Sequence, residues 1–126
     1  MVRVAVFGVS GYTGQKLCEI LLMHPEVEIT IGFVSTDTQP GFIDEINPRL
    51  KKIAHFFCEN KLDWDALALR ADCAFLALPH KASMGYVPNL LQRGMKVIDL
   101  SADYRFSSAA LYAQWYVPHT SPELLA

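Results

Sequence analysis

The chain is 126 residues long, 52% hydrophobic and 19% charged, which is too short for two ordinary cores and too apolar for a disordered chain. Eleven Lys and Arg against thirteen Asp and Glu leave a net charge of −2, no footprint for nucleic acid, and no apolar run approaches the ~20 residues that span a bilayer. The apolar start is shorter than a signal peptide's core, and Cys18, Cys58 and Cys73 lie far apart without a C-x-x-C pair. The expectation is one domain of a cytoplasmic protein with three buried thiols, not a disulfide scaffold or a zinc site.

Residues 2–7 form a β-branched apolar run closed at once by Gly8, the pattern of a strand buried on both faces. From Thr13 the apolar positions Leu17, Ile20, Leu21 and Leu22 recur at helical spacing until Pro25 follows His24, predicting one amphipathic helix. Residues 27–34 give a second β-branched segment, so strand, helix and strand make a βαβ unit and hence a parallel sheet. Pro40-Gly41 and Asn47-Pro48 punctuate 35–50, which reads as a long surface connection. A short strand is expected over 53–58, and a short helix over 63–70 with Asp63 as its N-cap. The apolar run 73–78, ended by Pro79, reads as a central strand. A helix over 82–92 closes near Gly94, where a left-handed cap suits glycine, and 96–100 forms one more strand. The remaining loop and polar-aromatic tail show no clear periodicity.

The sharpest local signal is Gly8-Val9-Ser10-Gly11-Tyr12-Thr13-Gly14, a glycine every third residue between the first strand and the first helix. A dinucleotide's pyrophosphate needs a tight turn, a bare backbone and a helix N-terminus whose free N–H groups favour negative charge, and Gly8, Gly11 and Gly14 meet these three needs. The end of the second strand, Ser35-Thr36-Asp37-Thr38, is where nicotinamide cofactors are told apart. Hydroxyls there suit an extra phosphate, whereas Asp37 suits a bare ribose, so NADP and NAD both stay open. Leu78-Pro79-His80-Lys81-Ala82-Ser83 follows a strand at its carboxyl end, the edge where open parallel sheets bind ligands. There His80 and Ser83 are candidate cofactor contacts, with a solvated loop residue and a helix cap as their plainer roles. His24, His55 and His119 are widely separated, so no metal is assigned. Tyr112, Trp115 and Tyr116 suit packing or a partner interface, since no basic stripe accompanies them.

These residues resemble the N-acetyl-gamma-glutamyl-phosphate reductases of arginine biosynthesis. The likeness runs through the glycine turn, where that family has Gly-Ala-Ser-Gly-Tyr-Thr-Gly and this chain has Val9 for the alanine, and through His24-Pro25. It continues in Ala77-Leu78-Pro79-His80, in Asp99-Leu100-Ser101-Ala102-Asp103-Tyr104-Arg105, and in Trp115-Tyr116 with Pro122-Glu123-Leu124-Leu125. The resemblance implies an α/β, Rossmann-like doubly wound, mostly parallel sheet with helices on both faces. It also implies NADP bound by Gly8, Ser10, Gly11, Tyr12, Thr13, Gly14, Ser35, Thr36, Leu78, Pro79, His80 and Ser83, with NAD still open. The implied parent enzyme reduces an acyl phosphate, N-acetylglutamyl phosphate, to an aldehyde through a cysteine thioester. It is expected to be a homo-oligomer without nucleic-acid or membrane partners. The family's nucleophile sits in an Asn-Pro-Gly-Cys-Tyr type of segment that none of the three cysteines has, so the chain is expected to be an amino-terminal piece without the catalytic part. Two departures stand out: Lys81 where the family commonly has glycine, and no arginine near Thr36 where the extra phosphate would be gripped. An aspartate-semialdehyde dehydrogenase-like cofactor domain and a non-catalytic nucleotide-binding module are the alternatives.

Overall fold

The computed structural model describes residues 1–79 and 82–100. The described strands are β1 (Val2–Phe7), β2 (Val27–Phe33), β3 (Gly41–Phe42), β4 (Phe57–Glu59), β5 (Cys73–Leu76) and β6 (Lys96–Asp99), and the α-helices are α1 (Tyr12–Leu22), α2 (Ile43–Ile46), α3 (Trp64–Arg70) and α4 (Val87–Gln92). The strands make one sheet in the order β3-β4-β2-β1-β5-β6, in which only the β3–β4 pairing is antiparallel among those described. The chain lays β2 and then β4 to one side of β1, and β5 and then β6 to the other. The winding direction therefore reverses at β1.

Two apolar clusters sandwich the sheet because the side chains of β1 alternate. Val4 and Val6 pack with Cys18 and Leu21 of α1 on one face, while Ala5 and Phe7 pack with Leu67 of α3 and Leu90 of α4 on the other. A strand buried on both faces needs apolar residues at every position, which is why the run from Val4 to Phe7 has no polar member. With α1 on one face and α3 and α4 on the opposite one, the fold is the expected Rossmann-like, doubly wound α/β arrangement. Among the described residues no helix is long and apolar enough to cross a membrane.

Three expectations need correction. Residues 35–50 are not a plain surface connection: they hold β3, α2 and a 3-10 turn at Pro48–Leu50. Ile43 and Leu50 of that segment are fully buried in the α1-side cluster. Asn47 is buried too, accepting from the Arg49 N–H and donating to Glu19. The strand expected over 53–58 is β4, shifted to Phe57–Glu59, because Ile53 and Ala54 close a turn onto the Leu50 carbonyl and Ile53 stays 65% exposed. The helix expected over 82–92 is broken into a 3-10 turn at Ser83–Gly85 and then α4. Pro88 lacks the N–H that would continue a helix but fits the first turn of a new one. Asp63 does cap α3, its Oδ1 accepting from the Asp65 and Ala66 N–H groups, and Gly94 has the left-handed conformation, φ +75°. His80, Lys81, the loop at Ser101 to Arg105 and the tail with Tyr112, Trp115, Tyr116 and His119 lie outside the described residues.

Candidate functional site

A cleft of about 610 Å³ opens at the carboxyl ends of β1, β2 and β5, where the sheet reverses direction and open α/β sheets take their ligands. Its position follows from the turn that links β1 to α1. Gly8 has φ +88°, a conformation costly for any residue with a Cβ, and a Cβ there would overlap the Ala77 carbonyl. The Phe33 carbonyl at the end of β2 accepts from both the Gly8 and Val9 N–H groups at 2.9 and 3.1 Å, and the Phe7 carbonyl accepts from Ala77 N–H at 3.0 Å. The turn is thereby pinned between its two neighbouring strands.

The three glycines of this turn have different structural needs. A Cβ at Gly14 would overlap the Gly8 carbonyl, so Gly14 lets the first turn of α1 pass tightly over the loop. A Cβ at Gly11 would meet nothing closer than the Gly8 carbonyl at 3.6 Å, an ordinary contact, and Gly11 has φ −75°, ψ 164°, which any residue adopts. The fold therefore does not require Gly11 to be bare, yet it is exposed and lines the cleft. Gly11 is also the N-cap of α1, and no described side chain caps that end. The first backbone N–H groups of a helix have no intrahelical acceptor and carry the positive end of its dipole.

Phe7 and Phe33, stacked with centroids 4.5 Å apart, give the cleft an apolar floor, and Leu62, Leu78 and Tyr86 extend it. Ser35 and Thr36 stand at one corner, where the Ser35 Oγ and Thr38 Oγ1 hydroxyls are hydrogen-bonded at 2.7 Å. Asn60 Nδ2 donates to the Thr38 carbonyl at 3.2 Å, and Val34 N–H to the Glu59 carbonyl at 2.8 Å. These two bonds hold the loop after β4 against the turn after β2.

Of the residues singled out from the sequence, Gly8, Ser10, Gly11, Ser35, Thr36, Leu78 and Pro79 line this one cleft. Gly14 lies buried beneath it. Tyr12 and Thr13 are exposed on the first turn of α1, outside the lining. Ser83 is also outside it, fully buried with its hydroxyl donating to Asp99 at 2.8 Å. Asp37 is exposed and does not line the cleft. Asn60, Lys61, Leu62 and Tyr86 line it as well, and the sequence reading missed them. For the first three the available signal was their place just past a strand at the binding edge. A second hollow of about 620 Å³ lies at the opposite end of the sheet beside Val2, Asp72 and Lys96. Its one lining glycine, Gly94, follows the C-terminal end of α4, and no described helix N-terminus opens onto it, so chemistry and not volume selects the first.

All three cysteines are buried and unpaired with one another. Burial pushes the thiols of Cys18 and Cys58 up to about 12 and raises that of Cys73 as well. None of them lines the cleft. Among the described residues no group of His, Cys, Asp and Glu is arranged to hold a metal.

The family model described as "Semialdehyde dehydrogenase, NAD binding domain" matches residues 3–125. The chain is 46% identical over its whole length to an N-acetyl-gamma-glutamyl-phosphate reductase of Desulfotalea psychrophila. It is 48% identical over 99% of its length to one of Geobacter sulfurreducens. In both cases it spans 36% of the relative's length. Among solved structures, aspartate semialdehyde dehydrogenase with NADP from Candida albicans superimposes with a TM-score of 0.68 at 18% identity, covering 83% of this chain and 31% of that one. That last likeness is one of fold. The chain belongs to the semialdehyde dehydrogenase NAD-binding domain family, and it matches the N-acetyl-gamma-glutamyl-phosphate reductases over about a third of their length.

Proposed function

We propose that this chain is the NADP-binding part of an N-acetyl-gamma-glutamyl-phosphate reductase. The observation that carries the reading is Gly11: it is bare where the fold does not need it to be, at the uncapped start of α1, on the rim of a cleft at the reversal point of the sheet. A pyrophosphate fits there, accepting from the helix's first N–H groups with no side chain in between. The apolar walls, Leu78 and Pro79 among them, suit the flat parts of a dinucleotide, and Ser10 and His80 complete the proposed contacts. For the extra phosphate of NADP, Ser35 and Thr36 offer hydroxyls inside the cleft while Asp37, the acid suited to a bare ribose, stands outside its lining.

The cofactor, when bound, supplies the hydride; this chain's residues bind and orient it. The reaction assigned to the parent protein is reduction of N-acetylglutamyl phosphate to the semialdehyde through a cysteine thioester. That reading makes the parent a cytoplasmic homo-oligomer of arginine biosynthesis with a small-molecule substrate. Thioester formation needs an accessible thiolate, and the buried, raised thiols of Cys18, Cys58 and Cys73 do not supply one. The isolated 126 residues are therefore a dinucleotide-binding domain without catalysis. Calorimetric titration of the purified chain should give tighter binding of NADP than of NAD, together with no phosphate-dependent oxidation of N-acetylglutamate semialdehyde. Tighter NAD binding would make Asp37 the ribose ligand, and turnover that vanished in a Cys-to-Ser variant would place the nucleophile within this chain.

A further inference from the structure

The turn after β2 has hydroxyls but no cation, and its one charged residue is the acid Asp37. A phosphate monoester gripped by neutral hydroxyls alone would be held weakly, since charge-assisted hydrogen bonds are roughly twice as strong as neutral ones. A cation must come from another element if the site is to prefer that phosphate. Among the described residues lining the cleft one carries a charge, and it is Lys61, in the loop between β4 and α3.

Two hydrogen bonds hold the loop of Lys61 beside Ser35 and Thr36. The Asn60 amide is bonded to the Thr38 carbonyl at 3.2 Å, fixing the residue next to Lys61 onto the hydroxyl turn. The Val34 to Glu59 backbone bond at 2.8 Å aligns the two strand ends that carry the loops. Lys61 itself is exposed and makes no ion pair with any described residue. Two acids flank it equally along the chain, Glu59 and Asp63; Asp63 uses its carboxylate to cap α3, and neither forms an ion pair with Lys61. We infer that Lys61 is the specificity-determining cation of this site, meeting the 2′-phosphate of NADP opposite the hydroxyls of Ser35 and Thr36. It would stand in for a cation in the turn itself. A lysine acts there as a flexible point charge on a long stem, which suits a group reached across a cleft from a neighbouring loop.

This inference rests on the proposed NADP-binding role, and the test separates the two. NADP and NAD are titrated calorimetrically into the wild-type chain, Lys61→Gln and Lys61→Arg, each at low and high salt. The expected result is an NADP-to-NAD affinity ratio about tenfold lower in Lys61→Gln, the size of one lost charged hydrogen bond. The ratio should be retained in Lys61→Arg, and the salt dependence of NADP binding should be shallower in Lys61→Gln than in wild type. An unchanged ratio, or equal weakening of both cofactors, would overturn the role of Lys61 while leaving the dinucleotide site standing. A wild-type chain that bound neither cofactor would overturn the site itself and this inference with it.

Discussion

A methyl group at Gly14 would be driven into the carbonyl of Gly8 and within 2.7 Å of its carbon, and its nearest neighbours are all backbone atoms of Gly8 and Val9, with no flexible side chain to yield. Overpacking of this kind typically costs 1–3 kcal/mol. Because the clash is with backbone, Gly14→Ala should fall at the upper end, about 3 kcal/mol, lowering the melting temperature by about 10 °C in a chain of this size. The measurement is thermal unfolding followed by circular dichroism. A shift under about 2 °C would mean that the turn yields easily and that its geometry is not held as described. The sequence pattern treats Gly8, Gly11 and Gly14 alike. Only the positions of the Ala77 and Gly8 carbonyls separate the two glycines the fold needs from the one it leaves bare. The same limit hid Lys61 and Asn60, whose relevance comes from a loop brought alongside Ser35 and Thr36 by β2–β4 pairing and not from any local motif.

β1 and β5 enter the sheet side by side, and their starts are tied by one ion pair. Arg3 donates through Nε and one terminal nitrogen to the two carboxylate oxygens of Asp72, at 3.3 and 2.9 Å, and its backbone N–H donates to Asp72 Oδ2 at 3.1 Å. The hydrogen bond from the Arg3 side chain, followed by that from its backbone, holds the Asp72 carboxyl below its ordinary value of 3.8. A carboxyl depressed on folding stabilises the native state above its unfolded pKa, and that contribution is lost as pH falls through the lower folded pKa. Asp72→Asn should therefore melt slightly below wild type at neutral pH, with the gap closing in strong acid. The effect is small because the pair is exposed. A gap that widened on acidification would show that the pair does not hold these strands.

The other elements show what an apolar pattern reports. β1, β5 and α1 were legible because each is a continuous apolar run or a clean helical stripe bounded by glycine or proline, and β2 and β6 because β-branched residues cluster in them, Val27, Ile29, Thr30 and Ile31 in one and Val97 and Ile98 in the other. The segment from Ser35 to Leu50 was not. Its buried contribution comes from isolated side chains, Ile43 and Leu50, set in short elements among Asp, Asn and Pro. No period survives over two or four residues. The break in the helix after Ser83 was marked in the sequence by Pro88, which a stripe of apolar residues outvotes in any reading by periodicity alone.

Taken together, the parts converge on one end of the sheet. The reversal of strand order at β1 leaves a gap between the loops after β2 and β5, the glycine turn opens α1 onto that gap, and the aromatic pair of Phe7 and Phe33 closes its floor. The cysteines sit elsewhere, in the apolar packing against the strands. Under the proposed function, this end of the sheet holds a phosphate-linked, partly flat molecule, and the three buried cysteines take no part in it. The most direct check of that account is a calorimetric titration of NADP into Gly11→Val beside wild type, with thermal unfolding of both. A valine at Gly11 finds room on the protein side and an allowed backbone conformation, but it occupies the approach to the first N–H groups of α1. The account predicts a melting temperature within about 4 °C of wild type, a stability change of at most ~1 kcal/mol, together with loss of measurable NADP binding. Wild-type affinity in a folded Gly11→Val chain would contradict it.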